Sequence, residues 1–228
     1  MTPSAAVFDV WRVGLEQYAE TVERLKSLLA DDELTTAARY HFPVHRRRSV
    51  VRRAALRTIL AEYAGAGPAE LRFVYGPQGK PALAETTAAV HFNVSHSGEL
   101  ALVAVGQQPL GVDLEQWREV ADADLVARRF FTPNEVAAQR AAPDGNQLFL
   151  RHWTRKEAVI KAVGRGLSMP LNTFDVSAID AGQIVRIDEP GGEQRWNVHD
   201  LAPAEGYLAA LASAGPIEHV RWRDWTAS

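Results

Sequence analysis

The hydrophobic period of this 228-residue chain changes three times, and that succession limits its fold more than any other feature. Apolar residues first recur every three or four positions. Over 15–29 (Leu15, Tyr18, Val22, Leu25, Leu29) and over 47–64 (Val51, Ala54, Ala55, Ile59, Tyr63) the spacing predicts two amphipathic helices, the second ended by Gly65. Short β-rich runs follow at 71–75, 91–95, 100–105 and 110–115, and they read as neighbouring strands of one small sheet. Helical period then returns: Thr132-Pro-Asn-Glu135 is a capping box with Pro at the first helical position, and residues 147–163 run on to Gly164 and Gly166. Strand-like pieces around 174–177, 184–187, 195–198 and 207–212 close the chain. The expected fold class is α+β, with two similar α/β halves, 1–108 and 109–228, and an active-site cleft between them. Faint similarity of RRAALRTILAEYAG to TRKEAVIKAVGRG, and of NVSHSGELALVAV to WNVHDLAPAEGYLAALA, fits such a duplication.

Composition removes several classes of function. With no Cys, the chain has no thiolate nucleophile, disulfide or zinc ribbon, so any metal must be held by oxygen or imidazole. No run of 18 apolar residues exists, and Asp9 and Arg12 interrupt what a signal peptide would need, so the expected location is cytoplasmic with no membrane partner. A formal charge of −3 gives no reason to expect nucleic acid. Between 39 and 57, however, seven Arg and two His stand with no Asp or Glu, a local anion-attracting surface.

Two acidic motifs carry the chemistry. Strand alternation puts Asp113 and Glu115 on one side of the run 110–115; they either face water or hold a hard cation such as Mg²⁺, with Mn²⁺ an alternative. Trp153, Glu157 and Lys161, spaced by four, line one helical stripe, which alone reads equally as a surface Glu–Lys pair beside a core Trp. Together, three carboxylates and a lysine suit a diphosphate substrate: the cation screens its oxygens and Lys161 neutralises leaving-group charge. Ser95 and His96 end a strand, Lys80 sits in the tight turn 76–81, and Arg48 and Ser49 lie near the start of the Arg-rich helix; each fits an anion contact or an ordinary turn or solvated face. No P-loop spacing or Gly-x-Ser-x-Gly elbow appears.

GVDLE, about forty residues on WTRKEAVIK, and FNVSHS, GKP and FFTPNE in order resemble the signature of the 4′-phosphopantetheinyl transferases. The length and two-half organisation are similar to the Sfp-type subfamily, monomeric pseudodimers whose halves are related by a pseudo-twofold axis. The resemblance implies transfer of the phosphopantetheine arm of coenzyme A to a serine of an acyl- or peptidyl-carrier protein, releasing adenosine 3′,5′-bisphosphate. It implies Asp113, Glu115 and Glu157 as Mg²⁺ ligands, Lys161 at the diphosphate, Glu157 as the candidate base, and Arg48, Ser49, Lys80, Ser95 and His96 as coenzyme A contacts. Family members place Lys just before the basic helix to meet the 3′-phosphate. Glu33 and Thr36 stand there in this chain, which shifts that task to Arg48, Lys80 and His96. The carrier is expected over 116–145, steered by Arg118, Arg128, Arg129 and Arg140 and anchored by Leu125, Phe130 and Phe131, the last also readable as core. A Mg²⁺-dependent nucleotide hydrolase and a non-catalytic coenzyme A-binding regulator are the alternatives.

Overall fold

A computed structural model describes residues 7–84, 89–177, 183–189 and 192–227. The chain runs β1 (Val7–Gly14), α1 (Ala19–Leu25), α2 (Asp31–Ala38), α3 (Pro43–Ala64), β2 (Phe73–Tyr75), β3 (Pro81–Leu83), β4 (His91–Ser97), β5 (Leu100–Gly106) and β6 (Leu110–Gln116). It continues through α4 (Ala123–Phe130), α5 (Pro133–Ala141), α6 (Gly145–Val163), β7 (Gln183–Glu189), β8 (Gly192–Leu201), β9 (Tyr207–Ser213) and β10 (His219–Trp225). Both long helices end on a glycine in the left-handed region, Gly65 at φ +65° and Gly164 at φ +82°, where a Cβ would be strained. Among the described residues no helix is long and apolar enough to cross a membrane.

The four early strands do not form one sheet. β4 and β5 lie in a sheet of order β10-β1-β5-β4, β2 forms a two-stranded sheet with β3 among the described residues, and β6 opens a further sheet of order β6-β9-β8-β7. The two sheets share a plan. In each, a strand (β1 or β6) precedes a long helix (α3 or α6), and the later hairpin (β4-β5 or β8-β9) returns its second strand antiparallel beside the first. The last strand breaks the separation of halves: β10 crosses back to pair in parallel with β1, Val7 opposite His219 and Val13 opposite Trp225. Asp9 takes the Arg221 guanidinium across that pair, and Arg12 forks onto Asp224 at 2.7 and 2.8 Å.

Other boundaries moved for local reasons. Residues 15–18 precede the first helix, because the Leu15 amide bonds the Glu99 carbonyl at 2.8 Å and prolongs the sheet. α3 begins at Pro43, four residues before the spacing suggests, since Pro suits the first helical position. Segment 174–177 is not a strand: the Phe174 carbonyl accepts from Lys156 Nζ at 2.7 Å and the Val176 amide donates to Glu135 at 2.7 Å, so side chains take the bonds a sheet would use.

Alternation sorts β5 into two cores. Ala101, Val103 and Val105 pack with α3 residues such as Val51, Ala55 and Ile59, while Leu102 and Ala104 meet Val112, Leu114 and Leu211 of the other sheet. Ala210 and Ala212 of β9 face Ala158, Val159 and Ala162 of α6. The sheets are therefore packed on one another with a long helix outside each. The same device ties each helix to its surroundings. In the first half Glu33, which accepts from the Ala30 amide, pairs with Arg57 at 2.7 Å, and Arg57 donates to the Pro68 and Leu71 carbonyls. In the second, Glu135 of the capping box pairs with Lys156 at 2.9 Å, and Lys156 donates to the Leu171 and Phe174 carbonyls. Lys156 and Glu135 are wholly buried.

Candidate functional site

The site lies where the edge strand β4 of the first sheet meets the edge strand β6 of the second. Side chains replace ladder bonds along this seam: Asn93 Oδ1 accepts from the Val112 amide at 2.9 Å, and Ser95 Oγ accepts from the Leu114 amide at 3.3 Å. Ser95 Oγ also donates to Asp113 Oδ1 at 2.8 Å, and Ser97 Oγ to Glu115 Oε2 at 2.9 Å. Positions 93, 95 and 97 share a face by alternation, so Asn93 and Ser97 were readable beside Ser95.

Helix α6 completes the site from the other side. Gly111 permits this approach: a Cβ there would lie 2.2 Å from the Ala158 carbonyl oxygen and 2.3 Å from the Ala162 nitrogen. Lys161 Nζ reaches Asp113 Oδ1 at 2.6 Å and Ser95 Oγ at 3.1 Å, so this lysine serves the strand acid and not a simple surface pair. Glu157, half-buried one turn earlier, has its pKa raised to about 7, by burial first and then by Asp113 and Glu115, against the opposing Lys161. Burial also raises Asp113, against the pull of Lys161 and Ser95.

Asp113 Oδ2 is buried without a hydrogen-bond partner. An orphaned carboxylate oxygen with two further acids in the site, one of them pushed toward neutrality by burial and then by the others, is an arrangement that a divalent cation would relieve. Among the described residues no three Asp, Glu or His are already gathered as a metal cluster. The donor chemistry of Asp113, Glu115 and Glu157 nevertheless fits a hard cation that keeps water and substrate ligands.

The expected anion contacts separate into two groups. Arg48, Ser49 and His96 line one cavity of about 190 Å³ with Tyr40, His45, Arg52 and Ser97. Arg48 is already held there by Glu16 at 2.6 Å and the Gly98 carbonyl at 2.9 Å. Lys80 does not present its ammonium to this cavity. It donates to the carbonyls of Leu110, Lys161 and Ala162 at 3.0, 2.6 and 3.1 Å, and burial lowers its pKa to about 8. It clamps the end of α6 to the start of β6. Arg52, one turn beyond Arg48, was missed by sequence reasoning, although their spacing of four places both on one helical stripe.

The profile described as the 4′-phosphopantetheinyl transferase superfamily matches residues 109–212, and that of the 4′-phosphopantetheinyl transferase N-terminal region matches 11–108. The 4′-phosphopantetheinyl transferase HetI of Nostoc sp. is 37% identical over 211 residues, covering 90% of this chain and 87% of the relative. The chain belongs to the 4′-phosphopantetheinyl transferase superfamily. A 4′-phosphopantetheinyl transferase of Bacillus subtilis is 31% identical, covering 85% of this chain and 86% of its own length. The Bacillus subtilis transferase Sfp is 29% identical with 86% and 87% covered. The phosphopantetheinyl transferase profiles thus divide the chain beside the β5–β6 connection, although β10 returns to the first sheet.

Proposed function

We propose that this enzyme transfers the 4′-phosphopantetheine arm of coenzyme A to a serine hydroxyl of an acyl- or peptidyl-carrier protein and releases adenosine 3′,5′-bisphosphate. The observation that carries the reading is the constellation of Lys161, Asp113 and Ser95, with Glu157 one turn away on α6, in a chain of this family. The serine oxygen attacks the phosphorus bearing the pantetheine arm, the bridging P–O bond breaks, and its electron pair leaves with the adenosine bisphosphate. Lys161 places a positive charge where that leaving group develops negative charge. Glu157, one turn before Lys161 on α6, is the candidate base that takes the serine proton. Mg²⁺, held by Asp113, Glu115 and Glu157, supplies charge neutralisation for the diphosphate oxygens when bound.

The shared three-strand order, β1-β5-β4 in one sheet and β6-β9-β8 in the other, supports a pseudo-twofold relation of halves 1–108 and 109–228, with the site at their seam. The carrier docks over 116–145. Within that segment Phe131 is core, stacked on Phe149 at 5.3 Å, whereas Leu125 is 68% and Trp117 48% exposed and supply the apolar anchors. Arg128 and Arg140 share Asp124, so the segment carries less free positive charge than its arginine count suggests. We further propose a cytoplasmic monomer.

Incubation with coenzyme A, Mg²⁺ and a panel of apo carrier proteins tests the function. A mass increase on a carrier serine, abolished by chelator and in Lys161→Ala, is expected. Hydrolysis of coenzyme A without carrier would favour the hydrolase, and coenzyme A binding without turnover the regulator.

A further inference from the structure

Two cationic side chains are tied to the acids of the site, and they are held in different ways. Lys161 rises from α6 to Asp113 Oδ1 at 2.6 Å and Ser95 Oγ at 3.1 Å, and its side chain is 28% exposed. Arg118 stands just past the end of β6. Its Nη1 donates to Glu115 Oε2 at 2.9 Å, and its side chain is 56% exposed.

The backbone around Arg118 is fixed. The Trp117 amide donates to the Gly206 carbonyl at 2.7 Å, while Asn146 at the start of α6 donates to the Arg118 carbonyl at 2.7 Å and accepts from the Val120 amide at 2.8 Å. Arg118 is therefore anchored by its main chain and can exchange partners through its guanidinium alone. Glu115 Oε2 also accepts from Ser97 Oγ at 2.9 Å, so this oxygen takes one neutral and one charged donor. The charged donor matters for a cation. A guanidinium and a divalent ion seek the same carboxylate and repel one another beside it, whereas the serine hydroxyl sets no such competition.

The rest of the segment 116–145 shows what could draw Arg118 away. Arg128 and Arg140 are both committed to Asp124, outside the acidic site, whereas the partner of Arg118 is an acid of the site itself. A carboxylate arriving at this surface exchanges one exposed ion pair for another, which costs little. We propose that Arg118 is a positioning residue that couples docking of an acidic carrier protein to the cation site: in the free enzyme it holds Glu115 Oε2 against the cation, and a carboxylate of the docked carrier draws it off and releases that oxygen. This inference rests on the transferase reading above. The coupling is reciprocal, so the factor by which carrier tightens cation binding is the factor by which cation tightens carrier binding.

Mn²⁺ binding to the full chain, read from the electron paramagnetic resonance of the free ion without coenzyme A, tests this independently of turnover. Wild type, Arg118→Gln, Arg118→Lys and Arg128→Gln are titrated alone and with saturating carrier protein, one accepted in the mass assay, its acceptor serine replaced by alanine. Carrier alone serves as the blank, and melting curves verify folding. Without carrier, Arg118→Gln should bind Mn²⁺ about two- to fivefold more tightly than wild type, with Arg118→Lys nearer wild type. Arg128→Gln removes the same charge from the Asp124 pair and should match wild type within about 1.5-fold. Carrier should tighten Mn²⁺ binding about two- to fivefold in wild type and less than about 1.5-fold in Arg118→Gln. An unchanged or lowered Mn²⁺ affinity in folded Arg118→Gln, an equal gain in Arg128→Gln, or an equal carrier effect with and without Arg118 would overturn the coupling and leave the transferase intact. No Mn²⁺ binding in any of the proteins would overturn it as well. A wild type that modifies no carrier in the mass assay would overturn the transferase reading itself, and the coupling with it.

Discussion

His152 should make the protein acid-sensitive in a way one substitution removes. Its side chain is fully buried on α6, edge-on to Phe131 at 5.8 Å between ring centroids, and neither ring nitrogen has a hydrogen-bond partner. Burial first, then Arg155, Lys156 and Arg151 with Asp175 opposing, lower its pKa from 6.5 to about 4. Between those values the unfolded chain takes up a proton that the folded chain refuses. Stability is therefore fully present above 6.5 and is lost as the pH falls toward 4. The two pKa values give a loss of ~2 kcal/mol from this group between pH 7.5 and 5.0, and ~3 kcal/mol below both. His152→Leu deletes the titrating group and keeps an apolar side chain. Urea unfolding of both proteins at the two pH values isolates the effect, because any fixed stability offset of the variant cancels in the difference. Wild type should lose ~2 kcal/mol more than His152→Leu over that interval. Losses that match within ~0.5 kcal/mol would refute the reasoning.

Three further outcomes follow from the packing. Lys156→Met should destabilise the chain by about 3–5 kcal/mol by stranding the buried Glu135 carboxylate, and Lys156→Met with Glu135→Leu should recover part of that loss in a double-mutant cycle of urea midpoints. Gly111→Ala should cost about 1–3 kcal/mol and lower kcat more than tenfold, since the new Cβ meets unyielding α6 backbone and pushes Lys161 away from Asp113; melting curves and single-turnover transfer measure both. Lys80→Met should lower kcat and melting temperature together while leaving the KM for coenzyme A within about twofold, because its ammonium holds carbonyls of α6 and β6.

Several working parts of this protein are properties of local sequence. Alternation alone places Asp113 with Glu115, helical spacing alone places Glu157 with Lys161, and the Thr132–Glu135 box starts α5 where it should. Such features depend on hydrogen bonds spanning three or four residues, so neighbouring letters suffice to specify them. Tertiary structure decided the rest. β1 lacks a period-two pattern and does not read as a strand, and its partner β10 lies 212 residues away, as in Asp9 opposite Arg221; β6 leaves its sequence neighbours for a second sheet because Leu211 and Ala212 of β9 pair with it. The fate of each charge was likewise unreadable in the chain. A run of seven arginines without an acid looks uniformly basic, but folding brings Glu16, Glu33 and Glu99 to three of them, brings three carbonyls to Lys80, and sets Arg52 against His96, with no ion pair among the described residues. Charge type is written in the residue, whereas the charge left available for a ligand depends on which distant groups folding has placed beside it.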